Sequence, residues 1–182
     1  MNASVIVNAA VAALAAIIWL GALDKLRHFA DFHAAVEAYR LLPGRFVRVF
    51  AVLFVCVEMV AGTLLLFAAG RMPGAAVAVL LVGLASAAVA VNLLRGYTDI
   101  DCGCGGLSRF SPGLSWWMVI RNAGLLLLAV VVMLGAGQSV ASMRGLDKVT
   151  FFGLAITLIG LYYLANQLID LHLRVQKLRS QT

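Results

Sequence analysis

Charged residues are scarce in this chain of 182 residues, at 12% against about 25% in soluble globular domains. Hydrophobic residues make up 63% of the sequence. This composition excludes an ordinary water-soluble domain and indicates a membrane protein. The net charge of +6 does not point to nucleic acid here, because lysine and arginine collect at the edges of membrane spans. We therefore expect no nucleic-acid partner.

Several chemical signatures are also missing from the sequence. No Ser-His-Asp arrangement of a hydrolase and no phosphate-binding glycine loop occur. Of the three cysteines, two lie in a loop without histidine, which does not supply the full ligand set of a structural zinc site. We expect no metal site. The first apolar run lacks a basic leader and a small-residue cleavage site, which predicts a retained helix rather than a cleaved signal.

The sequence contains several long runs without charged residues. Four stretches of 21 to 23 residues hold no charged side chain, at 3–23, 72–94, 122–143 and 149–169. A fifth, at 49–70, holds Glu58 alone. About 20 apolar residues cross the hydrocarbon core as a helix. The sequence predicts an all-α membrane protein: a single integral membrane domain over residues 1–182, whose bundle of five transmembrane helices lies at about 3–23, 47–70, 72–94, 115–137 and 149–169.

The segment at about 26–42, after the first span, has the pattern of an amphipathic helix. Its apolar residues recur at three- and four-residue steps and share one helical face; they are Leu26, Phe29, Phe32, Val36 and Tyr39. The segment is too polar to cross a membrane, so we expect an interfacial helix. Two spans separate it from the loop at 95–115, here called the cysteine loop. Both segments therefore lie on the same side of the membrane.

The cysteine loop carries Cys102 and Cys104, one residue apart and surrounded by glycine. Gly103 relaxes the backbone enough for the two thiols to close a small disulfide ring. Strained, exposed disulfides are easily reduced and tend to be catalytic rather than structural. Thiol–disulfide exchange is therefore the favoured interpretation. The alternatives are a turn with two unreactive thiols, or a metal site such as a pair of thiolates on Cu(I).

Glu58 is the main polar residue inside a span, where an ionisable group is costly and is a functional hypothesis by default. It would relay protons released by thiol oxidation, or bind a quinone head group. The favoured alternative is a neutral or arginine-paired acid that fixes helix packing. Cys56, two residues away, has the pattern of a small core residue. Four amides are expected to hydrogen-bond between helices: Asn92, Asn122, Asn166 and Gln167.

Four features together resemble the MauE branch of the DoxX-like membrane proteins. They are the DCGCGG loop between two spans, GALDKLRHFADFHAAVEAYRLLP after the first span, Glu58 in the second, and RNAGLLLLAV opening the fourth. The resemblance implies a role in maturing the disulfide-rich small subunit of a periplasmic methylamine dehydrogenase. It implies as partners a thioredoxin-like, MauD-type protein and other maturation proteins of methylamine utilisation, and it implies Cys102 and Cys104 as the redox pair.

Together these features predict a membrane thiol–disulfide oxidoreductase or relay in the bacterial inner membrane, with the lipid bilayer around it and quinone as the one cofactor to consider. The alternative is a non-catalytic scaffold for the same maturation. Two indications disagree about which side of the membrane carries the cysteine loop. Eleven of the 14 basic residues fall on the face that carries the cysteine loop, which indicates the cytoplasm. The role that the resemblance implies requires the periplasm.

Overall fold

A computed structural model describes residues 3–98, 100, 113–135 and 145–180. Six α-helices make up nearly all of these residues: α1 Ala3–Arg27, α2 Phe29–Ala38, α3 Gly44–Leu66, α4 Arg71–Leu94, α5 Trp116–Leu134 and α6 Gly145–Ser180, with a short 3₁₀ helix at Ala68–Gly70. All of them except α2 and the 3₁₀ helix are long and apolar enough to cross a membrane. The predicted all-helical fold with five membrane-spanning helices is confirmed.

Helix α1 lies at the centre of the bundle. It packs against α3, α5 and α6, while α4 packs between α3 and α5. The main core forms where small and branched side chains of these helices meet. At one such contact a Cβ on Gly62 would lie 2.6 Å from Cδ1 of Trp19, so only glycine lets α3 approach α1 this closely there. Small residues at such contacts allow the close backbone approach on which helix packing in membranes depends.

The end of α1 and the bounds of α2 differ from the sequence-based expectation. The first span was expected to end at residue 23, but the helix continues to Arg27 and carries the buried Lys25. Leu26 therefore belongs to α1 and is exposed. The helix is interrupted at His28, and α2 begins at the next residue. The uncharged run ends before Asp24, but the hydrogen bonds of the helix continue to Arg27. A boundary set from hydropathy alone therefore ends the helix too early.

Helix α2 turns its apolar face toward α3. Phe32 packs against Ala51 and Val55, and its ring centroid lies 5.8 Å from that of Phe54. The opposite face of α2 is exposed. This is the amphipathic arrangement expected between the first two spans. The face of the bundle that carries α2 also carries both ends of the cysteine loop, and it is called the loop face below.

Candidate functional site

The cysteine loop is held together at its base. The backbone N–H of Leu114 donates to the carbonyl oxygen of Thr98 at 2.7 Å, which joins the two ends of the loop. Leu114 is buried in a cluster with Tyr39, Val89 and Met118, against which Ile100 also packs. Residues 101–112 lie outside the described residues, and with them Cys102 and Cys104. Tyr39, just after α2, therefore contacts the base of the loop that carries the predicted redox pair.

Glu58 forms a buried ion pair with Lys25. The ammonium nitrogen of Lys25 lies 2.8 and 3.0 Å from the two carboxylate oxygens, and it also contacts the carbonyl oxygen of Gly21 at 3.5 Å. The two side chains are only 7% and 12% exposed. Glu58 was expected to be neutral or paired with an arginine, and this expectation is wrong because its partner is Lys25. The sequence had assigned Lys25 to the membrane edge. The pair links α1 to α3.

Two aromatic rings flank this ion pair. The ammonium of Lys25 lies 5.8 Å from the ring centroid of Phe32 on α2 and 5.8 Å from that of Phe54 on α3. A cation over an aromatic face at this distance is attracted by the ring quadrupole. Lys25 therefore connects three helices, and one of them is the amphipathic helix on the loop face.

Arg121 forms a second polar cluster near the start of α5. Its Nε and Nη2 both donate to Oδ1 of Asn122, at 3.2 and 2.8 Å, and its Nη1 donates to Oδ1 of Asn166 on α6. The guanidinium carbon lies 5.7 Å from the centroid of the Tyr162 ring. The sequence predicts Arg121 as a basic residue of the membrane edge and does not predict this cluster. The sequence feature that could have indicated the cluster is the polar pair Arg121-Asn122 near the start of an otherwise apolar span.

A cavity of about 230 Å³ lies between the two polar clusters. Residues from all six helices line it, and most of them are apolar. Its polar lining comes from both clusters: Lys25 and Glu58 from the first, and Arg121, Asn122 and Tyr162 from the second. Tyr39 also lines this cavity and contacts the base of the cysteine loop, which places the cavity in the half of the bundle nearest the loop face. Apolar pockets with a few convergent polar groups are the usual form of small-molecule sites.

Other polar residues take less central positions than expected. Cys56 is exposed on the outer face of α3, so the expectation of a small core residue is wrong. Asn92 is buried but donates to the carbonyl oxygen of Ala88 in its own helix at 2.9 Å. Of the four amides expected to join helices, Asn166 does so through Arg121. The sequence identifies these side chains as polar but does not show which way they face.

Comparison with known proteins identifies the family. The family model described as "Methylamine utilisation protein MauE" matches residues 3–135. The chain is 37% identical over 127 residues to the MauE of Paracoccus denitrificans, covering 70% of this chain and 68% of that protein. It is 36% identical to the MauE of Paracoccus versutus over 117 residues, covering 64% and 62% of the two chains. No solved structure matches the chain.

A third relative extends the match slightly further. The MauE of Methylophilus methylotrophus is 35% identical over 133 residues, covering 71% of this chain and 70% of that protein. The family match begins in α1 and ends at the end of α5, so it includes the cysteine loop, the Lys25–Glu58 pair and Arg121. The chain therefore belongs to the MauE family of methylamine utilisation proteins.

Proposed function

We propose that this protein is a thiol–disulfide relay of the bacterial inner membrane that supports maturation of a periplasmic methylamine dehydrogenase. Cys102 and Cys104 are its redox pair, and a thioredoxin-like, MauD-type protein is its exchange partner. The disulfide-rich small subunit of the dehydrogenase is the final recipient of the disulfides. The observation that carries the proposal is the Cys-Gly-Cys sequence in a glycine-rich loop between two membrane-spanning helices.

The surroundings of the loop support this proposal. The hydrogen bond between Leu114 and Thr98 ties the ends of the loop together, so the segment between them begins and ends at one place on the loop face. Tyr39 packs against that base and belongs to the turn that follows an amphipathic helix. A loop presented on a rigid base is the common arrangement of reactive residues in proteins.

The proposed reaction is thiol–disulfide exchange. A thiolate of the reduced partner attacks one sulfur of the Cys102–Cys104 disulfide, which breaks that bond and forms a mixed disulfide. The sulfur released from the loop takes up a proton. The second thiolate of the partner then attacks the mixed disulfide, so the partner leaves with a disulfide and the loop keeps two thiols. Two electrons move from the partner to the loop.

Trapping of the mixed disulfide tests the proposal. In the Cys102→Ser and Cys104→Ser variants the exchange is tested in reverse: the remaining loop thiolate attacks the disulfide of an oxidised partner and forms the mixed disulfide, and the neighbouring loop thiol that would complete the exchange is absent. We expect at least one of the two variants to hold a thioredoxin-like partner in a complex that survives a non-reducing gel and disappears with reductant. The experiment uses full-length protein in a host that carries the other methylamine utilisation proteins. Cys56→Ser, which removes the exposed thiol of α3, is the matched control and should mature the dehydrogenase normally.

Two results would overturn the relay. One is the absence of a trapped partner in both variants. The other is full maturation of the dehydrogenase when both loop thiols are replaced and membrane levels are normal. The protein would then act as a non-catalytic scaffold in the same process.

A further inference from the structure

The cavity between the Lys25–Glu58 pair and the Arg121 cluster has the properties of a ligand site that the relay chemistry leaves unassigned. Its volume of about 230 Å³ suits a single substituted ring with the beginning of a tail, and is too small for a phospholipid with two acyl chains. Aromatic side chains from four segments of the chain line it: Phe32, Tyr39, Phe50, Phe54 and Tyr162. Aromatic walls favour a planar, apolar occupant.

The Arg121 end of the cavity is rich in hydrogen-bond donors. Three N–H groups of Arg121 are used by Asn122 and Asn166, and the guanidinium has more. The Oδ1 of Asn122 accepts both bonds from Arg121, while its Nδ2 donates to no acceptor among the described residues. The buried Asn122 and the half-buried Arg121 thus offer donors to a ligand whose head carries acceptor oxygens.

Arg121 also brings a positive charge to the cavity, and no described carboxylate compensates it. Lys25 and Glu58, which also line the cavity, neutralise each other. The partners of Arg121 are neutral amides, and among the residues that the structure describes no carboxylate forms an ion pair with it. A half-buried guanidinium with neutral partners stabilises negative charge that develops on a nearby oxygen. The charge therefore favours an occupant whose oxygen gains electron density as it reacts.

We propose that this cavity binds a lipid-soluble quinone, and that the quinone takes the electrons of the reduced cysteine loop. The quinone ring lies between the aromatic walls, and its carbonyl oxygen accepts hydrogen bonds from Arg121 and from Nδ2 of Asn122. Two thiols and one quinone yield one disulfide and one quinol, with two electrons and two protons passing from sulfur to the quinone. The redox part rests on the proposed function, since Cys102 and Cys104 supply the electrons.

The position of the cavity supports this coupling. Tyr39 and Ala88 both line the cavity and belong to the cluster of side chains that holds the base of the cysteine loop. One wall of the proposed quinone site is therefore continuous with the anchor of the proposed redox pair. Glu58 keeps its structural contact with Lys25 in this arrangement and is not needed as the ligand's partner.

Binding is tested first, on a protein that cannot react. The double variant Cys102→Ser/Cys104→Ser, purified in lipid nanodiscs, is exposed to a photoreactive analogue of ubiquinone, and the labelled residues are mapped by mass spectrometry. We expect label on cavity-lining residues, competed by ubiquinone with a short tail. Ala85→Phe fills the cavity from α4 and should abolish labelling. Ala87→Phe places the same side chain on the exposed face of α4 and should leave it intact.

The polar contact is tested by Arg121→Gln in the same background. Loss of a charge-assisted hydrogen bond should weaken quinone binding by about tenfold. Arg45→Gln, an exposed arginine that does not line the cavity, is its control. If Arg121→Gln does not fold, the Ala85→Phe and Ala87→Phe pair decides the same question without touching the hydrogen bonds.

Electron transfer is tested last, on protein with both thiols. The reduced protein, freed of reductant, should convert about one equivalent of quinone to quinol, and the double serine variant should convert none. Labelling outside the cavity, or competition by a single-chain fatty acid but not by ubiquinone, overturns the quinone site. Quinone binding without quinol formation overturns the electron transfer. Because partner trapping does not involve the cavity, trapping without quinone binding would remove this inference and leave the relay in place.

Discussion

Lys25 and Glu58 carry opposite charges inside the bundle, and each offsets the energetic cost of burying the other. Both carboxylate oxygens contact the same ammonium group. Removing one partner of such a buried pair leaves the other without compensation, which costs on the order of 3–5 kcal/mol. Removing both costs much less, because no uncompensated charge remains.

We therefore predict strong coupling between these two positions. Glu58→Gln and Lys25→Met should each lower the free energy of unfolding, by about 3 kcal/mol or more. The double variant should lose less than the sum of the two, with a coupling of at least about 1 kcal/mol. Titration with denaturant in mixed micelles measures all four proteins. Asp31→Asn with Arg48→Met, two exposed residues, forms the control cycle and should show no coupling.

The Glu58→Gln variant also tests whether Glu58 acts in helix packing or in the proposed thiol chemistry. Glu58→Gln should reduce maturation of the dehydrogenase less than Cys104→Ser does, once membrane levels are matched. Equal loss in both variants would show that Glu58 takes part in the chemistry. A vanishing coupling with Lys25 would show that the ion pair does not hold α1 to α3.

At the scale of elements, α2 connects the bundle to the cysteine loop. Phe32 fixes the helix to α3, and Tyr39, at its end, packs with Leu114 at the base of the loop. The helix is short, with 10 residues, and such a helix depends on tertiary packing for its stability. We therefore expect a change in the packing of α2 to alter the base of the loop.

We predict that this contact is detectable by cross-linking. In protein without its native cysteines, Tyr39→Cys should react with Leu114→Cys through a short bifunctional maleimide, because the two positions share one buried cluster. Ala38→Cys, one residue earlier and exposed, is the control and should give little product. The yield is read on gels as a shift in mobility. Equal yields from positions 38 and 39 would contradict the packing of Tyr39 against the loop base.

The sequence predicts the elements better than their contacts. Uncharged runs identify the five long helices, because a span must be apolar over most of its length. The partner of Glu58 was not predictable, since Lys25 lies 33 residues earlier and its hydropathy assigns it to the membrane edge. Arg121 was also assigned to the membrane edge by its hydropathy, whereas it binds Asn166 inside the bundle. Hydropathy reports how polar a residue is, whereas the packing of several helices determines whether it faces lipid, water or an internal cavity.

At the scale of the whole molecule, the number of spans fixes which segments share a side. Two spans, α5 and α6, separate the cysteine loop from the C-terminal end, so reporter fusions within residues 101–112 and at Thr182 should report the same compartment. A reporter active only in the periplasm, such as alkaline phosphatase, and a cytoplasmic fluorescent reporter measure this. Opposite signals from the two fusions would mean that α5 or α6 does not cross.

The side of the membrane on which the cysteine loop lies determines which partners the proposed relay can reach. The basic residues on the loop face predict the cytoplasm. Two of them, Lys25 and Arg121, lie within the bundle and bind internal partners, so they do not act as charges of a flanking loop. A periplasmic signal is the result that direct exchange with a periplasmic partner requires. A cytoplasmic signal would rule out direct exchange with a periplasmic partner.

The last helix stands apart from the rest of the molecule in one respect. The family match ends at residue 135, while α6 begins at Gly145 and supplies Tyr162 to the cavity and Asn166 to Arg121. One wall of the cavity therefore comes from outside the part of the chain that defines the family, and the cysteine loop comes from inside it. In the proposed arrangement, the selectivity of the cavity for its ligand can therefore change with α6, while the proposed redox pair lies within the family match. Replacing α6 alone should change quinone binding and leave the trapping of a partner by Cys102 and Cys104 unchanged.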